Sequence, residues 1–312
     1  MIICVTANPS IDKLFEVERL VPGAIHRPVG FVQTAGGKGF NVARAAHTLG
    51  ADVRAAGILR GLAGKWLERT LRGEGIDGAF AWTDGESRSS LSVASRETAG
   101  LTEFYENGSV VPAAAWAALM EGMGNLFEPG RWLIISGSLP QGAPEDGYGN
   151  LVAHARAAGV QVALDTDGER LRLALTAGPD IVKVNAAEVS EMLGVPAAQR
   201  DEALAAAAKI RELAGGVGHA GVVTRGADGV VVAAPDGSMQ EGMLFERGRY
   251  PVGSGDAFLA GLVVALERGS DWHSALRLAL GTATANAEIP GAGKLDPARA
   301  EELADRAEVR EL

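Results

Sequence analysis

The stretch Pro251–Asp256 reads Pro-Val-Gly-Ser-Gly-Asp, and the apolar pattern Ala-Phe-Leu-Ala-Gly-Leu of residues 257–262 follows it directly. This pattern predicts a helix that begins at a glycine turn. Gly253 and Gly255 let the backbone turn tightly and point successive amides at an anion, and the helix start adds a positive dipole end. By itself, Asp256 would be interpreted as a first-turn residue, because carboxylates are favoured at helix N-termini. The segment therefore predicts an anion hole, and a catalytic carboxylate only if further motifs accompany it.

Short β-rich runs alternate with helical patterns along the rest of the chain. The strand candidates are Met1–Ala7, Val53–Ile58, Trp132–Ser136, Val160–Asp165, Ile181–Val184 and Ala220–Thr224. The helix candidates are Phe40–Leu49, Lys65–Arg72, Ala113–Met123, Pro144–Ala158, Asp201–Ala214 and Asp256–Glu267. This alternation predicts an α/β fold with a Rossmann-like, mostly parallel sheet flanked by helices. Ligands of such sheets collect beyond the carboxyl ends of the strands.

Two segments interrupt this order and predict extra strands, at about residues 13–35 and 87–108 of a single domain that spans residues 1–312. Apolar and polar residues alternate from Ser90 to Ser95, which is the period of a half-exposed strand. A small, discontinuous β lid is one interpretation, and an ordinary sheet edge is the other. Periodicity does not separate the two. An exposed lid face would favour pairing of two lids into a homodimer.

Charge and cysteine content narrow the class of protein. The 312 residues carry 29 Lys and Arg against 39 Asp and Glu, a net charge of −10, which argues against a nucleic-acid or anionic-membrane partner. The one cysteine, Cys4, cannot form an intramolecular disulfide, which fits a reducing compartment. Residues 1–7 do not resemble a secretory signal, and no apolar run reaches the roughly 20 residues that span a bilayer. We therefore expect a cytoplasmic protein.

Two more motifs place polar groups at the predicted ligand edge. The run Gly36–Gly39 reads Gly-Gly-Lys-Gly and precedes Asn41 at the start of a helical pattern, which puts the Lys38 ammonium and an amide where an anionic or hydroxyl-rich ligand can bind. The glycine spacing is not that of a P-loop or of a dinucleotide-binding fingerprint. Asn8–Asp12, directly after the first strand, reads Asn-Pro-Ser-Ile-Asp, a good turn whose carboxylate can also accept hydrogen bonds from sugar hydroxyls.

The order and spacing of these motifs resemble the ribokinase-like family of carbohydrate kinases over nearly the whole chain. The residues that carry the resemblance are Asn8–Asp12, Gly36–Asn41, Gly64, Arg88, Gly137–Pro140, Asp165–Gly168, Lys183–Asn185 with Glu188, Thr224–Gly229 and Gly253–Asp256. The chain is most similar to the phosphosugar branch, which contains 1-phosphofructokinase, tagatose-6-phosphate kinase and the minor 6-phosphofructokinase. Gly-Gly-Lys-Gly and the Gly-Ser-Leu-Pro of residues 137–140 are typical of that branch. Pro251–Asp256 and Asn286–Glu288 look slightly more like the tagatose-6-phosphate kinases.

The resemblance implies an ATP- and Mg²⁺-dependent kinase that converts a ketohexose phosphate (fructose 1-phosphate, tagatose 6-phosphate or fructose 6-phosphate) to a hexose bisphosphate. It implies that Asp256 is the base and that the amides of Gly253, Ser254 and Gly255 stabilise the transferred phosphoryl group. The implied sugar-side residues are Asp12, Gly37, Lys38, Asn41 and Ser138, with Arg88 of the lid on the existing phosphate. The implied nucleotide-side residues are Lys183, Asn185, Thr224, Gly226, Gly229 and, near the adenine, Asn286, with Glu188 on Mg²⁺ through water.

Three residues depart from the family pattern. Val184 stands where proline is usual, Ser90 where asparagine is frequent, and Arg225 where a small or apolar residue is common. We expect Arg225 either to reach a nucleotide phosphate or to lie on the surface. Two other functions remain open: a ribokinase-like kinase of an unphosphorylated sugar or nucleoside, and a non-catalytic sugar-phosphate sensor. The sensor is disfavoured by the joint presence of Asp256, Lys38, Arg88, Asn185 and Glu188, because a protein that only binds needs no base.

Overall fold

The computed structural model describes residues 1–98 and 100–312, which form two β-sheets with flanking helices. The strands are β1 (Ile2–Thr6), β2 (Ser10–Val17), β3 (Gly30–Gly36), β4 (Val53–Arg60), β5 (Asp77–Thr83), β6 (Arg88–Ser95), β7 (Leu101–Tyr105), β8 (Trp132–Ser136), β9 (Gln161–Asp165), β10 (Ile181–Asn185), β11 (Ala220–Thr224), β12 (Val230–Ala233), β13 (Met239–Met243) and β14 (Glu308–Glu311). The helices are α1 (Lys38–Thr48), α2 (Gly61–Gly73), α3 (Ala113–Gly124), α4 (Gly147–Ala157), α5 (Gly168–Leu175), α6 (Ala186–Leu193), α7 (Arg200–Ala214), α8 (Ser254–Glu267), α9 (Trp272–Glu288) and α10 (Pro297–Arg306).

The large sheet has the strand order β14-β13-β12-β11-β10-β9-β8-β1-β4-β5. Neighbours from β11 to β5 pair in parallel, whereas β12, β13 and β14 extend the sheet as antiparallel strands. The parallel strands are apolar without interruption because helices cover both faces of the sheet. The predicted mostly parallel α/β fold is therefore confirmed. The antiparallel extension was not predicted, since β13 carries Gln240 and Glu241 inside a short run.

Two apolar cores lie on the two faces of this sheet, and successive residues of each strand contribute to opposite cores. In β1, Ile2 and Cys4 pack on the side of α1, α8, α9 and α10, while Ile3 and Val5 pack on the side of α3, α4 and α7. Complete burial raises the pKa of the Cys4 thiol far above its usual range, so this cysteine is a core residue and not a nucleophile. Within the described ranges, no helix is long and apolar enough to cross a membrane.

The second sheet has the order β3-β2-β6-β7 and is built from two segments that are far apart in the sequence. Paired residues share a face of the sheet, and the register pairs Asp12 with Ser90 on one face and Phe15 with Phe31 on the other. The Phe15 and Phe31 rings lie 5.3 Å apart. Phe31 is 56% exposed, and Phe104, on the same face, is 58% exposed. This sheet thus has a polar face towards the cavity described below and an aromatic face towards solvent.

Glycines allow α8, α9 and α10 to approach closely. A Cβ at Gly261 of α8 would lie 2.6 Å from Thr282 Oγ1 and 3.0 Å from Ala279 Cα. A Cβ at Gly281 of α9 would lie 2.3 Å from the carbonyl oxygen of Ala300. Separations below 3 Å leave no room for a side chain, so packing fixes α8 and, with it, the glycine turn at its N-terminus.

We expect Gly281→Ala to lower the free energy of unfolding by about 1–2 kcal/mol, because overpacking against backbone outweighs the gain of about 1 kcal/mol in helix propensity. Gly122→Ala in α3 is the matched control, since nothing lies within 4 Å of the added methyl group. That control should leave stability unchanged or raise it. Chemical denaturation of both variants measures the difference. Equal changes in the two would contradict the role given to close helix contact.

Candidate active site

A cavity of about 1050 Å³ lies at the carboxyl ends of the parallel strands, below the polar face of the second sheet. Its position is where an open α/β sheet binds ligands. Every site residue predicted from the sequence lines it except Asn286: Asp12, Gly37, Lys38, Asn41, Arg88, Ser138, Lys183, Asn185, Glu188, Thr224, Gly226, Gly229, Gly253, Ser254, Gly255 and Asp256. Residues from distant parts of the chain therefore meet around one space.

The glycine turn before α8 has the conformation that its sequence requires. Gly253 is the N-cap residue with φ 81°, in the left-handed region, and a Cβ there would lie 2.6 Å from the Cβ of Ala292. At Gly255, a Cβ would lie 3.1 Å from Lys183 Nζ. Because Gly255 has no side chain, the Lys183 ammonium can lie against the start of α8. Asp256 follows in the first turn and is 6% exposed.

The Asp256 carboxylate has the properties of a base and not of a helix cap. Burial, followed by the negative charge of Asp165, raises its pKa to about 7, against the opposing effects of Lys38 and of a hydrogen bond from Asn41. Asn41 Nδ2 donates that bond to Asp256 Oδ2 at 2.9 Å. A capping carboxylate would have a lowered pKa, because the helix amides stabilise its charge. A pKa near 7 suits a group that accepts a proton and releases it at neutral pH.

Asp165, at the end of β9, joins two lysines next to this base. Its fully buried carboxylate accepts hydrogen bonds from Lys183 Nζ at 2.7 Å and from Lys38 Nζ at 3.2 Å. Burial acts to raise the pKa of Asp165, but the two ammonium groups outweigh it, and the net pKa is below the usual value. The charge of Asp165 in turn is the main reason that the pKa of Lys38 is raised. Lys38 also contacts Glu188 Oε1 at 3.4 Å.

On the other side of Asp256, Asp12 lies against the Gly-Gly-Lys-Gly turn. Ser10 Oγ donates to Asp12 Oδ1 at 2.5 Å, and the amide of Gly37 donates to Asp12 Oδ2 at 3.3 Å. A Cβ at Gly36 would lie only 2.0 Å from Asp12 Oδ2, so glycine is required there. Burial raises the pKa of Asp12 despite these hydrogen bonds. This carboxylate can accept hydrogen bonds from hydroxyl groups in the cavity.

Arg88, at the start of β6, brings a guanidinium group from the second sheet into the same cavity. Its Nε donates to the carbonyl oxygen of Asn8 at 3.3 Å, and its Nη1 donates to Ser90 Oγ and to the carbonyl oxygen of Glu106, both at 3.2 Å. Ser90, the residue that departs from the family pattern, thus contacts Arg88 directly. The guanidinium is held by neutral acceptors, which leaves its positive charge available to an anion.

The nucleotide-side residues are positioned by a helix cap and a glycine turn. Asn185 caps α6: its Oδ1 accepts from the amide of Glu188 at 2.9 Å, and its own amide donates to Glu188 Oε2 at 2.8 Å. The cap fixes the Glu188 carboxylate with its other oxygen near Lys38. Gly229 has φ 86°, and a Cβ there would lie 2.2 Å from the carbonyl oxygen of Gly242. Backbone therefore lines this part of the cavity.

Comparison with known proteins assigns this arrangement to a family. A model of the "pfkB family carbohydrate kinase" matches residues 5–299. The chain belongs to the pfkB family of carbohydrate kinases. A 1-phosphofructokinase of Xanthomonas campestris is 33% identical over 301 residues, which cover 95% of this kinase and 93% of the relative. A 1-phosphofructokinase of Bacillus subtilis is 29% identical, with 93% and 94% coverage.

Solved structures of other kinases have the same fold. Phosphofructokinase-2 from Escherichia coli, solved in complex with fructose-6-phosphate, aligns with a TM-score of 0.88 at 24% identity, over 97% of this kinase and 98% of that chain. Ribokinase from Arabidopsis thaliana, complexed with ribose and ATP, aligns with a TM-score of 0.75 at 20% identity, with the same coverage. The ribokinase-like fold and the family assigned from the sequence motifs are therefore both confirmed.

Asn286, which the family resemblance places near the adenine, does not line the cavity. It is fully buried, and its side chain is outside the wall of the cavity. Its Nδ2 donates to the carbonyl oxygen of Val252 at 3.0 Å and to Ser254 Oγ at 3.3 Å, and its Oδ1 accepts from the amide of Gly293 at 2.8 Å. Asn286 thus supports the glycine turn from behind. The sequence contains no sign of these contacts, because a polar residue on an apolar helix does not reveal its partner.

Arg225 does not line the cavity, and its buried side chain contradicts the expectation that it lies on the surface. Its side chain is 8% exposed, and its Nη2 donates to the carbonyl oxygen of Asp228 at 2.7 Å and lies 3.5 Å from Glu241 Oε1. Arg225 therefore braces the turn Gly226–Gly229 from outside. Its partner Glu241 lies in β13, a strand that the sequence did not predict.

Sequence reasoning also missed several residues of the site. Tyr105, Glu106 and Asn107 line the cavity from the second sheet, and Asp167 lines it below. The family resemblance includes Asp165 in the motif Asp165–Gly168 and implies no role for it. A usable signal existed, since Asp165 is a carboxylate at the carboxyl end of a buried apolar strand, the edge at which ligands bind.

Proposed function

We propose that this kinase transfers the γ-phosphoryl group of ATP to a hydroxyl group of a ketohexose phosphate and forms a hexose bisphosphate. The observation that carries the proposal is the buried Asp256 carboxylate at the start of α8, which has a pKa of about 7 and lies near the cations Lys38 and Lys183. This is a base among groups that attract phosphate. A protein that only senses sugar phosphates would have no use for it.

The chemistry is an in-line displacement in which positioning and charge stabilisation supply most of the acceleration. Asp256 accepts the proton of the acceptor hydroxyl as its oxygen attacks phosphorus. The amides of residues 253–255 and the N-terminus of α8 stabilise the charge on the moving phosphoryl group. The Lys183 ammonium lies against Gly255, close to the path of transfer. We also propose that the second sheet is a lid that closes on the acceptor and excludes water.

The residues present fit a magnesium ion carried with the nucleotide. Mg²⁺ prefers oxygen ligands, retains several waters and commonly uses one or two carboxylates with substrate phosphates. Glu188 offers such a carboxylate, held by the α6 cap, and no cluster of three or more acidic, His or Cys ligands occurs in the part of the chain that the structure describes. We propose that Glu188 holds the ion through water. When bound, the ion neutralises charge on the nucleotide phosphates.

Arg88 and Lys38 favour an acceptor that already carries a phosphate. The planar guanidinium can bind two phosphate oxygens, which an unphosphorylated sugar does not offer. Fructose 1-phosphate is the first candidate, because relatives 33% and 29% identical are named 1-phosphofructokinases. Tagatose 6-phosphate and fructose 6-phosphate are the next acceptors to test. An unphosphorylated sugar or nucleoside is the alternative class.

A coupled ADP assay with fructose 1-phosphate, fructose 6-phosphate, tagatose 6-phosphate, fructose and ribose tests both class and substrate. We expect ADP production that depends on a phosphorylated acceptor, with fructose 1-phosphate best. Activity confined to fructose or ribose would move the enzyme to the ribokinase-like class. No acceptor-dependent ADP, together with measurable binding of ATP, would support a sensor and contradict the proposal.

The pH dependence follows from the raised pKa of Asp256. The base acts only when it is deprotonated, and the pKa of about 7 means that most molecules carry the proton below pH 7. We expect kcat/KM to fall about tenfold per pH unit below pH 7 and to level off above it. Initial rates between pH 5.5 and 9 at low acceptor concentration measure this limb. A rate independent of pH in that range would contradict a base with this pKa.

We further propose that two copies associate through the aromatic face of the second sheet. Phe31 and Phe104 are more than half exposed beside Phe15, and exposed apolar clusters of this kind mark interaction surfaces. Phosphofructokinase-2 from Escherichia coli has an inhibited form that is tetrameric. Light scattering should give twice the chain mass of 32.2 kDa, and Phe104→Asp should give the single mass. A monomeric wild type would contradict the proposal.

A further inference from the structure

Asp165 is a charged residue to which the mechanism above gives no task. Its carboxylate is fully buried, and it is not among the residues that line the cavity, so it has no direct contact with a substrate. The backbone around it is well fixed: the amide of Gly137 donates to the Asp165 carbonyl oxygen at 2.9 Å, and Thr166 Oγ1 donates to the carbonyl oxygen of Gly137 at 2.9 Å. A carboxylate is rarely buried completely unless it is paired.

Its two partners belong to opposite sides of the reaction. Lys38 is the first residue of α1 and lies on the side of Asp12, whereas Lys183 lies in β10, on the side of Asn185. The two ammonium nitrogens contact different oxygens of the one carboxylate, Oδ1 and Oδ2. Both lysines line the cavity. One buried group thus links the sugar side to the nucleotide side.

Electrostatics explain why one carboxylate is needed. Lys183 has only 5% of its side chain exposed, and burial of an ammonium without a partner is strongly unfavourable. The Asp165 carboxylate pairs with both ammonium groups, and Lys38 also contacts Glu188, so both cations are held at the cavity in which phosphates are expected. Without the carboxylate, mutual repulsion would drive the lysines apart, and the buried Lys183 ammonium would be left without that partner.

We propose that Asp165 is a positioning residue that holds Lys38 and Lys183 in fixed places on the two sides of Asp256. It thereby sets where the acceptor phosphate and the nucleotide phosphates meet the base. The inference rests on the proposed function, since it names how that site is assembled. A purely structural ion pair would affect only stability. A positioning role for Asp165 requires that loss of its charge changes KM for both substrates and the pKa of Asp256.

Asp165→Asn is the primary test, because it keeps the shape and removes the charge. With ATP and fructose 1-phosphate, we expect kcat/KM to fall roughly 100-fold, as a displacement of about 1 Å in the positioning groups can cost that much. KM should rise for both substrates. The acidic limb of the pH profile should move to lower pH, because the negative charge of Asp165 is one cause of the raised pKa of Asp256.

Asp180→Asn is the matched control at the opposite end of the sheet. Asp180 accepts hydrogen bonds from Arg156 Nη1 and from the amide of Val162, both at 2.7 Å, and it lies directly before β10. Its loss should lower thermal stability but leave kcat/KM and the pH limb unchanged. If Asp165→Asn behaves in the same way as this control, Asp165 is only a structural ion-pair partner and the proposal is overturned.

A double-mutant cycle with Lys183→Met gives a second measurement. If Asp165 acts by holding Lys183, the combined loss in kcat/KM should be at least about tenfold smaller than the product of the two single losses. A loss equal to that product would contradict the coupling. If Asp165→Asn does not fold, the double variant is used in its place, because it contains one buried cation fewer. The KM of the double variant for fructose 1-phosphate is then compared with the KM of Lys183→Met. Equal KM values would overturn the link between Asp165 and Lys38.

Equilibrium binding separates this inference from the proposed function. If the wild type turns over none of the five acceptors, the proposed function fails, and calorimetric titration with ATP still tests Asp165. We expect Asp165→Asn to weaken ATP binding about tenfold, because the Lys183 ammonium loses its fixed place. Unchanged binding of ATP would contradict the positioning role whatever the reaction is.

Discussion

Asp256→Asn is expected to lower kcat by about 10³- to 10⁴-fold, the upper range for loss of a positioned general base, while the dissociation constant for ATP changes little. An amide cannot accept the proton of the acceptor hydroxyl, yet it has nearly the size of the carboxylate. The glycine amides and Lys183, which are proposed to hold the nucleotide phosphates, are not changed. Coupled ADP assays give kcat, and calorimetric titration gives ATP affinity. Turnover near that of the wild type would remove Asp256 from the role of base.

The same variant should not lose stability, and this separates catalysis from misfolding. The folded-state pKa of about 7 lies above the ordinary value of 3.8, so the folded state binds the proton more tightly than the unfolded state. Stability from this group is therefore fully present below about pH 4 and is lost as the pH rises towards 7 and above. The neutral amide removes that loss. Thermal denaturation at pH 8 should give a Tm at least equal to that of the wild type.

The fold could be predicted from the sequence because its determinants are local. Buried parallel strands such as β1 and β8 are short apolar runs that need no knowledge of their neighbours, and the alternation with helices fixes the class of sheet. β12 to β14 could not be predicted in this way. β13 contains Glu241, whose buried charge is stabilised by arginines from α7, β14 and the turn after β11. Those partners are visible only in three dimensions.

The site was predictable in its residue types but not in its contacts. Glycine turns at helix starts indicate anion binding wherever they occur. The bond between Asn41 and Asp256, however, joins residues 215 positions apart, and the pKa of Asp256 depends on burial and on Asp165. The same limit explains why the contacts of Asn286 with the glycine turn were not predicted. A motif indicates which chemical groups are available, whereas the tertiary contacts determine which of these groups takes part in the chemistry.

Arg88→Ala is expected to reduce kcat/KM for fructose 1-phosphate by about 1000-fold, because two charge-assisted hydrogen bonds to phosphate are worth about 1.5–3 kcal/mol each. The loss should be selective. For fructose, which has no phosphate for the guanidinium to bind, kcat/KM should change by less than about tenfold, since the remaining polar contacts are modest. Arg88→Lys should lie between the two, because it keeps the charge but loses the fork. The ratio of the two acceptors in the coupled assay measures the effect.

Arg96→Ala is the matched control, since Arg96 follows the other end of the same strand and pairs with Glu16 and Glu18 on the second sheet. It removes a cation from the second sheet without changing the cavity wall around Asp12, and so it should leave the ratio of acceptors as it is in the wild type. An equal loss on fructose and on fructose 1-phosphate in Arg88→Ala would mean that Arg88 shapes the second sheet instead of binding phosphate. We expect the loss to be selective for fructose 1-phosphate, because the hydrogen bonds of Arg88 go to uncharged oxygens, which position the guanidinium and leave it charged.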